Sequence, residues 1–383
     1  MRVVRVLGVL EPGGAQLSVL RLARAQTALG VITRLVAGDA TPQGIALARQ
    51  YGFEVEALHV HDQLEDSPRQ WTPDPEFACW LSAHLAGADL VHAHMFGAWW
   101  AASQVIPAGL PLVASEHNSL SWPRGDHSRA AAAASDRVDQ FFVHGPGPHT
   151  QIRALGVDPA RLAPGRSAIT VHCTARPGLV SPRLTFTGRL RADKGPDLLL
   201  QALALLDDPP LTYLVGDGPM HREVRHLVAD LGLRHKVRLT GWSHEPARYV
   251  LGAAVHVVPS RQEAWSQSAV TALALGVPVV ATAVDGLPVT LTDRRGLLVA
   301  PDPASLAAGI RTVLDGKADL DADAGRRYAA MFQPAPIASY YFDAYNQLAQ
   351  RRLHAPGADD TAQLPARHPG HRPPSSPGST LTA

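Results

Sequence analysis

Arg189 and Lys194 stand at the two edges of one short loop, Gly188-Arg189-Leu190-Arg191-Ala192-Asp193-Lys194-Gly195, between an apolar run and a helical pattern. Two cations beside a helix N-terminus suit a diphosphate: they neutralise it when bound and hold it as charge builds on a leaving group. A solvated basic loop is the plainer alternative, and the position at both ends of a strand-to-helix turn favours the chemical reading. A carboxylate follows a later apolar run, in Pro259-Ser260-Arg261-Gln262-Glu263-Ala264-Trp265-Ser266-Gln267-Ser268. Glu263 can accept hydrogen bonds from sugar hydroxyls, while the opening N–H groups of the next helix are left for phosphate oxygens. Its bland reading is a charge that complements the helix dipole.

Two further groups come from the first half of the chain. Glu11-Pro12-Gly13-Gly14-Ala15-Gln16 is a tight turn whose glycines let backbone approach a ligand, but it is not a GxGxxG dinucleotide fingerprint. His92 and His94 follow one apolar run and Glu116-His117-Asn118 the next. His117 is the candidate for chemistry; His94 reads as a core residue sooner than as its support. Asp319, Asp321 and Asp323 have a DxD-like spacing, yet they lie on a late Ala-rich stretch and read as a solvated face. Ser260, Ser266 and Ser268 have no nucleophile-elbow pattern around them.

These residues need elements to hold them. Strand-like runs fall at 3–10, 32–37, 53–58, 89–93, 110–115 and 140–144, with helical patterns such as 15–29 and 148–155 between them. A second series runs through 184–188, 211–216, 237–241, 254–259, 277–281 and 296–299, with helical patterns at 196–206, 220–231 and 265–275. Alternation of this kind predicts two doubly wound parallel sheets in tandem, with ligands at the carboxyl ends of the strands. The expected domains are 1–164 and 183–334, joined by a Pro/Gly/Arg-rich linker over 165–182 that carries a short strand at 168–172. A helical stretch follows at 335–353, and a Pro/Gly/Ser-rich disordered tail at 354–383.

Composition narrows the function. With 46% hydrophobic residues, 18% charged residues and a formal net charge of +1, the 383-residue chain is globular and carries no field aimed at nucleic acid or an anionic membrane. The opening apolar stretch is of strand length, short of a signal peptide or the roughly 20 residues of a membrane span. Two cysteines, Cys79 and Cys173, give no disulfide framework and suit a reducing, cytoplasmic setting. No pair of the 18 histidines has Cys/His or HExxH spacing, so no metal is expected.

The order Gly13-Gly14, His117, Gly188-Arg189 with Lys194-Gly195, Val215-Gly216-Asp217-Gly218-Pro219, and Pro259-Ser260 with Glu263 and Gly276-Val277-Pro278-Val279-Val280 resembles family 4 retaining glycosyltransferases of the GT-B fold. The resemblance extends to about residue 351 and is strongest from 188 to 283. It implies two facing Rossmann-like domains with a central cleft. Arg189 and Lys194 would bind the donor diphosphate, helped by backbone N–H groups at Gly14 and around Trp265, Ser266 and Gln267. Glu263 would hold donor-sugar hydroxyls, His117 would contact the sugar near the reaction centre, and residues 240–243 would lie beside the base. The helical stretch at 335–351 would cross back to the first domain.

The sequence departs from the family pattern at several points. Thr271 stands where a second Glu grips the ribose, Ala264-Trp265-Ser266 replaces Gly-Phe-Gly, and Val289 replaces a Glu. The resemblance implies retaining, metal-independent transfer of a hexose-type sugar from a nucleotide-diphosphate sugar, UDP foremost, with no cofactor. The acceptor is unidentified; Trp99, Trp100 and Trp122 are candidates to meet it, and a soluble small molecule is favoured. Rival readings are a non-catalytic sugar-nucleotide-binding subunit and a nucleotide-sugar epimerase, which would need more first-half carboxylates than Glu11 and Glu116. A dehydrogenase comes third.

Overall fold

The computed structural model describes residues 1–64, 67–118, 126–171, 174 and 176–353. Two parallel sheets carry the fold. The first is built from β1 (Arg2–Leu10), β2 (Ile32–Ala40), β3 (Val55–Val60), β4 (Leu90–His94), β5 (Leu112–Glu116), β6 (Gln140–Val143) and β7 (Leu162–Pro164), in the order β3-β2-β1-β4-β5-β6-β7. The second is built from β8 (Arg183–Thr187), β9 (Leu211–Val215), β10 (Val237–Gly241), β11 (Val255–Val258), β12 (Val279–Thr282) and β13 (Leu297–Val299), in the order β10-β9-β8-β11-β12-β13.

Parallel strands covered by helices on both faces read as unbroken apolar runs. β4 and β5 are buried at every residue, and β1 at every residue after Arg2. Strand order reverses between β1 and β4 in the first sheet, and between β8 and β11 in the second. Such switch points are where open α/β sheets leave a crevice for ligands. The loops carrying Gly14, Arg189 and Glu263 follow β1, β8 and β11, so they flank these two points.

The short strand expected at 168–172 is not a strand over its described residues. Ile169 instead donates its N–H to the Phe332 carbonyl at 2.9 Å, outside either ladder. The extra strand is β7, pairing Phe141 with Leu162 and Val143 with Pro164. Pro164 cannot donate to a ladder, so an edge strand is the place a sheet accepts it. The expected tail at 354–383 lies outside the described residues.

A single apolar cluster runs through both halves. It joins Val3, Leu90, Val113 and Phe142 to Val258, Ala269 and Leu287 through Ile337, Tyr341 and Tyr345 of the helix Pro334–Leu353. That helix packs on the first-domain helix Gly14–Gln26, where Gln26 donates to the Ala338 carbonyl at 3.2 Å. Tyr341 ties it to the inter-domain segment, donating to the Arg166 carbonyl at 3.1 Å and accepting from the Arg166 N–H at 3.0 Å.

Candidate active site

Gly195 fixes the first piece of the site. Its φ of +63° lies in the left-handed region, and a Cβ there would sit 2.1 Å from the Pro259 carbonyl oxygen. Only glycine lets the loop after β8 press this closely on the end of β11. The approach carries Lys194 to Glu263, whose carboxylate accepts from Nζ at 2.9 Å and from Ser260 Oγ at 3.3 Å. Burial alone would push the Lys194 ammonium down; the Glu263 and Asp193 carboxylates outweigh it and hold its pKa above the ordinary lysine value.

The loop carrying Glu263 is clamped by its backbone. Its N–H donates to Asp285 Oδ2 at 2.8 Å, and its carbonyl accepts from the Gly286 N–H at 3.0 Å. A Cβ on Gly286 would lie 2.0 Å from the Ala264 carbonyl oxygen, so this residue too must stay small. The expected DxD-like residues are elsewhere on the surface: Asp319 pairs with Arg294, and Asp321 caps the helix Ala322–Ala330 through the Ala324 N–H.

The first domain closes over this edge. Glu11, just past β1, forms an ion pair with Arg189, just past β8. Gln267 donates to the Gly14 carbonyl at 2.6 Å and accepts from Arg21 at 3.1 Å. Two helix starts, those of Gly14–Gln26 and Gln267–Ala274, are thereby tied together across the cleft. Opening N–H groups of a helix have no intrahelical partner and favour anions. Ser266 caps the second helix by accepting from the Ala269 N–H at 3.3 Å. The Trp265 indole packs on Phe332 with centroids 4.9 Å apart. Thr271 is half-buried one turn further along the helix.

The first-sheet edge has a different character. His117 is buried and shares a hydrogen bond with His94, Nδ1 to Nε2, at 3.3 Å. His94 is therefore both a core residue and a direct partner of His117. Glu116 is fully buried and accepts from the Trp99 indole N–H at 3.2 Å. Burial pushes its carboxyl up to about 8 against the pull of Trp99 and the backbone N–H groups of His117 and Asn118, so it is protonated at neutral pH.

Trp99 is a correction to the sequence reading. It is wholly buried, edge-on to Phe141 at 5.5 Å, and its one polar group is spent on Glu116, so it cannot meet an acceptor. Trp100 is half-buried against the same core, and Trp122 lies outside the described residues.

Several pairings at the site were not readable in the sequence: Glu11 with Arg189, Asp285 with the Glu263 backbone, and Gly145, where a Cβ would lie 2.0 Å from the Ala264 carbonyl oxygen. Asp39, His59 and His61 also converge, because parallel register sets Asp39 opposite His59. Arg69 Nη1 already stands between the first two, 2.6 Å from Asp39 Oδ1 and 2.9 Å from His59 Nδ1. A guanidinium thus fills the place a cation would take.

Two doubly wound sheets, with cations and helix starts meeting across their carboxyl ends, define the GT-B class of α/β protein. Residues 12–164 match the family described as Glycosyltransferase Family 4, and residues 181–316 the one described as Glycosyl transferases group 1. A D-inositol 3-phosphate glycosyltransferase from Streptomyces avermitilis is 32% identical over 71% of this chain and 68% of its own length. One of the same name from Geodermatophilus obscurus is 35% identical over 60% of this chain, and the match spans only 56% of that relative. The solved structure of Anabaena HepE in complex with UDP and glucose shares the fold, with TM-score 0.78 and 19% identity over 91% of this chain and all of that one. The chain belongs to the group 1, family 4 glycosyltransferases.

Proposed function

We propose that this protein is a retaining glycosyltransferase that moves a hexose-type sugar from a UDP-sugar to a hydroxyl of a soluble small molecule, without a metal or other cofactor. The observation that carries this reading is the meeting of Arg189, Lys194 and Glu263 with two helix starts on one cleft edge. A departing UDP leaves with its negative charge on the diphosphate. Arg189 and Lys194 are placed to hold that charge, which is the task a metal ion performs in other designs. The ion pairs with Glu11 and Glu263 keep both cations oriented until the diphosphate arrives.

In the proposed step the acceptor oxygen attacks the anomeric carbon from the face the diphosphate leaves. The bond from that carbon to the phosphate oxygen breaks, and the leaving phosphate takes the acceptor proton. No pair of glycosidase-type carboxylates is required. Glu263 holds sugar hydroxyls and His117 contacts the sugar beside the acceptor. The helix Gln267–Ala274, with Thr271 on its second turn, flanks the nucleotide. The complex of HepE with UDP and glucose supports the donor class, and the inositol 3-phosphate in the relatives' names supports a small acceptor.

The test is UDP-glucose hydrolysis and transfer to a panel of polyols and sugar phosphates, with the product anomer read by NMR. Lys194→Ala and Glu263→Ala are expected to lose about 10²–10³-fold in kcat, the cost of removing one preorganised charge-stabilising group. Full rates in both variants would remove the site assignment. Because Thr271 is neutral, calorimetric donor binding with no turnover over the whole panel would favour a non-catalytic sugar-nucleotide-binding subunit instead.

A further inference from the structure

Three imidazoles form a column across the ends of three adjacent strands. His94 is the last residue of β4, His117 follows β5, and His144 follows β6. Parallel register places His94 opposite Ser115 and Glu116 opposite Val143, which draws the three rings together. The His94 and His117 rings lie 5.5 Å apart at 30°, and those of His117 and His144 lie 4.1 Å apart at 24°. Backbone pins the last of them from outside: a Cβ on Gly165 would come within 2.3 Å of His144 Nδ1.

Hydrogen bonding assigns the ring protons. His144 Nδ1 lies 3.2 Å from the Glu116 carbonyl oxygen, which can only accept, so Nδ1 carries the proton. Its Nε2 is then a lone pair, buried and without a partner. His94 Nδ1 and His117 Nε2 share one hydrogen bond, while His94 Nε2 is buried with no partner. A buried orphan N–H is rarer and costlier than a buried orphan acceptor. The His94 proton therefore sits on Nδ1 and is donated to His117 Nε2, which leaves the proton of His117 on Nδ1.

We propose that His94 and His144 are positioning residues for His117, His94 fixing its tautomer through the shared hydrogen bond and His144 holding the ring's orientation by stacking, so that the ligand at the first-sheet edge meets an Nδ1–H donor and no imidazole lone pair. The proposal rests on the reading of His117 as a sugar and acceptor contact. A donor of this kind matches the lone pair of a hydroxyl or ring oxygen and offers nothing to an ammonium group. Burial opposes a second proton on each ring, and at His117 the neighbouring His144 and His94 add to that cost: all three imidazoles are pushed below the ordinary histidine value, His144 to about 4 by burial against the pull of the Glu116 and Arg166 backbone.

Among the described residues, the surrounding ionisable groups are Glu116 on β5, His92 on β4, Arg5 on β1, and Tyr341 and Tyr345 on the helix Pro334–Leu353. His92 stacks 4.0 Å from His94 and hydrogen-bonds Tyr345 at 2.6 Å, while Arg5 approaches His92 at 3.3 Å. Of these groups only Glu116 is a carboxylic acid, and its own high pKa keeps it from drawing a proton onto the column.

Nitrogen-15 NMR of the full chain labelled at histidine, at pH 7, reads the tautomer directly. His117 is expected to show the Nδ1–H pattern in wild type and a mixture with Nε2–H in His94→Leu. In kinetics, His94→Leu and His144→Leu are expected to move the acid limb of the kcat profile to higher pH. His94→Gln, whose amide can still donate to Nε2, restores the limb. A wild-type His117 protonated on Nε2 overturns the proposal, as does a His94→Leu variant with tautomer and acid limb both unmoved. Should His94→Leu fail to fold, the wild-type spectrum and His94→Gln decide. Absence of transfer by wild type would remove the glycosyltransferase reading alone, because the tautomer is measured without turnover.

Discussion

At the carboxyl end of the second sheet, Lys194, Arg189 and Glu263 are partly exposed and charged, each paired with an opposite charge. At the carboxyl end of the first sheet, His94, Glu116, His117 and His144 are buried, and their burial favours the uncharged forms. The backbone scaffold is the same in both places: a parallel strand ends, and the next helix begins. Under the proposed function, the difference follows from what each edge would meet. A diphosphate brings its own negative charge, and cations already balanced by carboxylates can exchange one anion for another without stranding a charge in low dielectric. A hydroxyl brings no charge, so a neutral imidazole of fixed orientation serves it, and dry surroundings keep it neutral.

The largest test of this contrast is on the charged edge. Arg189→Ala is expected to lower kcat/KM for the donor about 10²-fold or more, as removal of a charge-assisted contact to the leaving group should. Arg261→Ala is the control, because that guanidinium is tied to Asp197 at 2.7–2.8 Å on the same surface. It is expected to change the rate less than about twofold. Glu11→Gln, at the other end of the Arg189 pair, should lower the donor KM by freeing the guanidinium. Steady-state kinetics on the three variants checks all of this, and equal losses for Arg189 and Arg261 would show that the charge argument is not local.

A smaller effect is expected where the two edges touch. Gly145, just past β6, has a φ of +92°, and any side chain there would strike the Ala264 carbonyl beside Glu263. Gly145→Ala should push the edges apart and cost about 10-fold in kcat/KM, since misplacement on the scale of an ångström is expensive for transfer between two bound partners. Donor affinity measured by calorimetry should fall far less, because the proposed donor contacts belong mostly to the second domain. A comparable loss in both quantities would mean that the two edges do not act separately.

A last effect concerns stability on the neutral edge. The native Glu116 carboxyl keeps its proton up to about 8, against a value of 4.5 in the unfolded chain. The folded state therefore binds more protons between these values. Its stabilising contribution is whole below about 4.5 and is lost as pH rises through about 8. Glu116→Gln, which cannot ionise, should gain Tm relative to wild type as pH goes from 5 to 8.5, as measured by thermal melts. A difference in Tm that stays constant across that range would place a charged carboxylate on the first edge and end the comparison.

Legibility in the sequence tracked locality. Arg189, Lys194 and the glycines beside them could be read because a βα turn needs only its own few residues to aim a cation or to bend. Trp99 misled for the opposite reason: the helix Phe96–Val105 is apolar nearly all round, so no periodicity distinguishes a residue facing the core from one facing a ligand. His94 read as core because a lone histidine after a strand gives no sign of what the neighbouring strand will carry.

By itself the sequence determined the alternation of strands and helices, the glycine turns and the placing of charge beside them, since these rest on backbone sterics and short-range periodicity. The tertiary structure decided the rest. Strand order β1-β4-β5-β6 aligned three histidines into a column, and parallel register set Asp39 against His59. Apposition of the two domains joined Glu11 to Arg189, Gly14 to Gln267, and Gly145 to the backbone beside Glu263. None of these pairs is close in the chain, and only burial on both faces of each sheet fixes the register and approach that bring them within bonding distance.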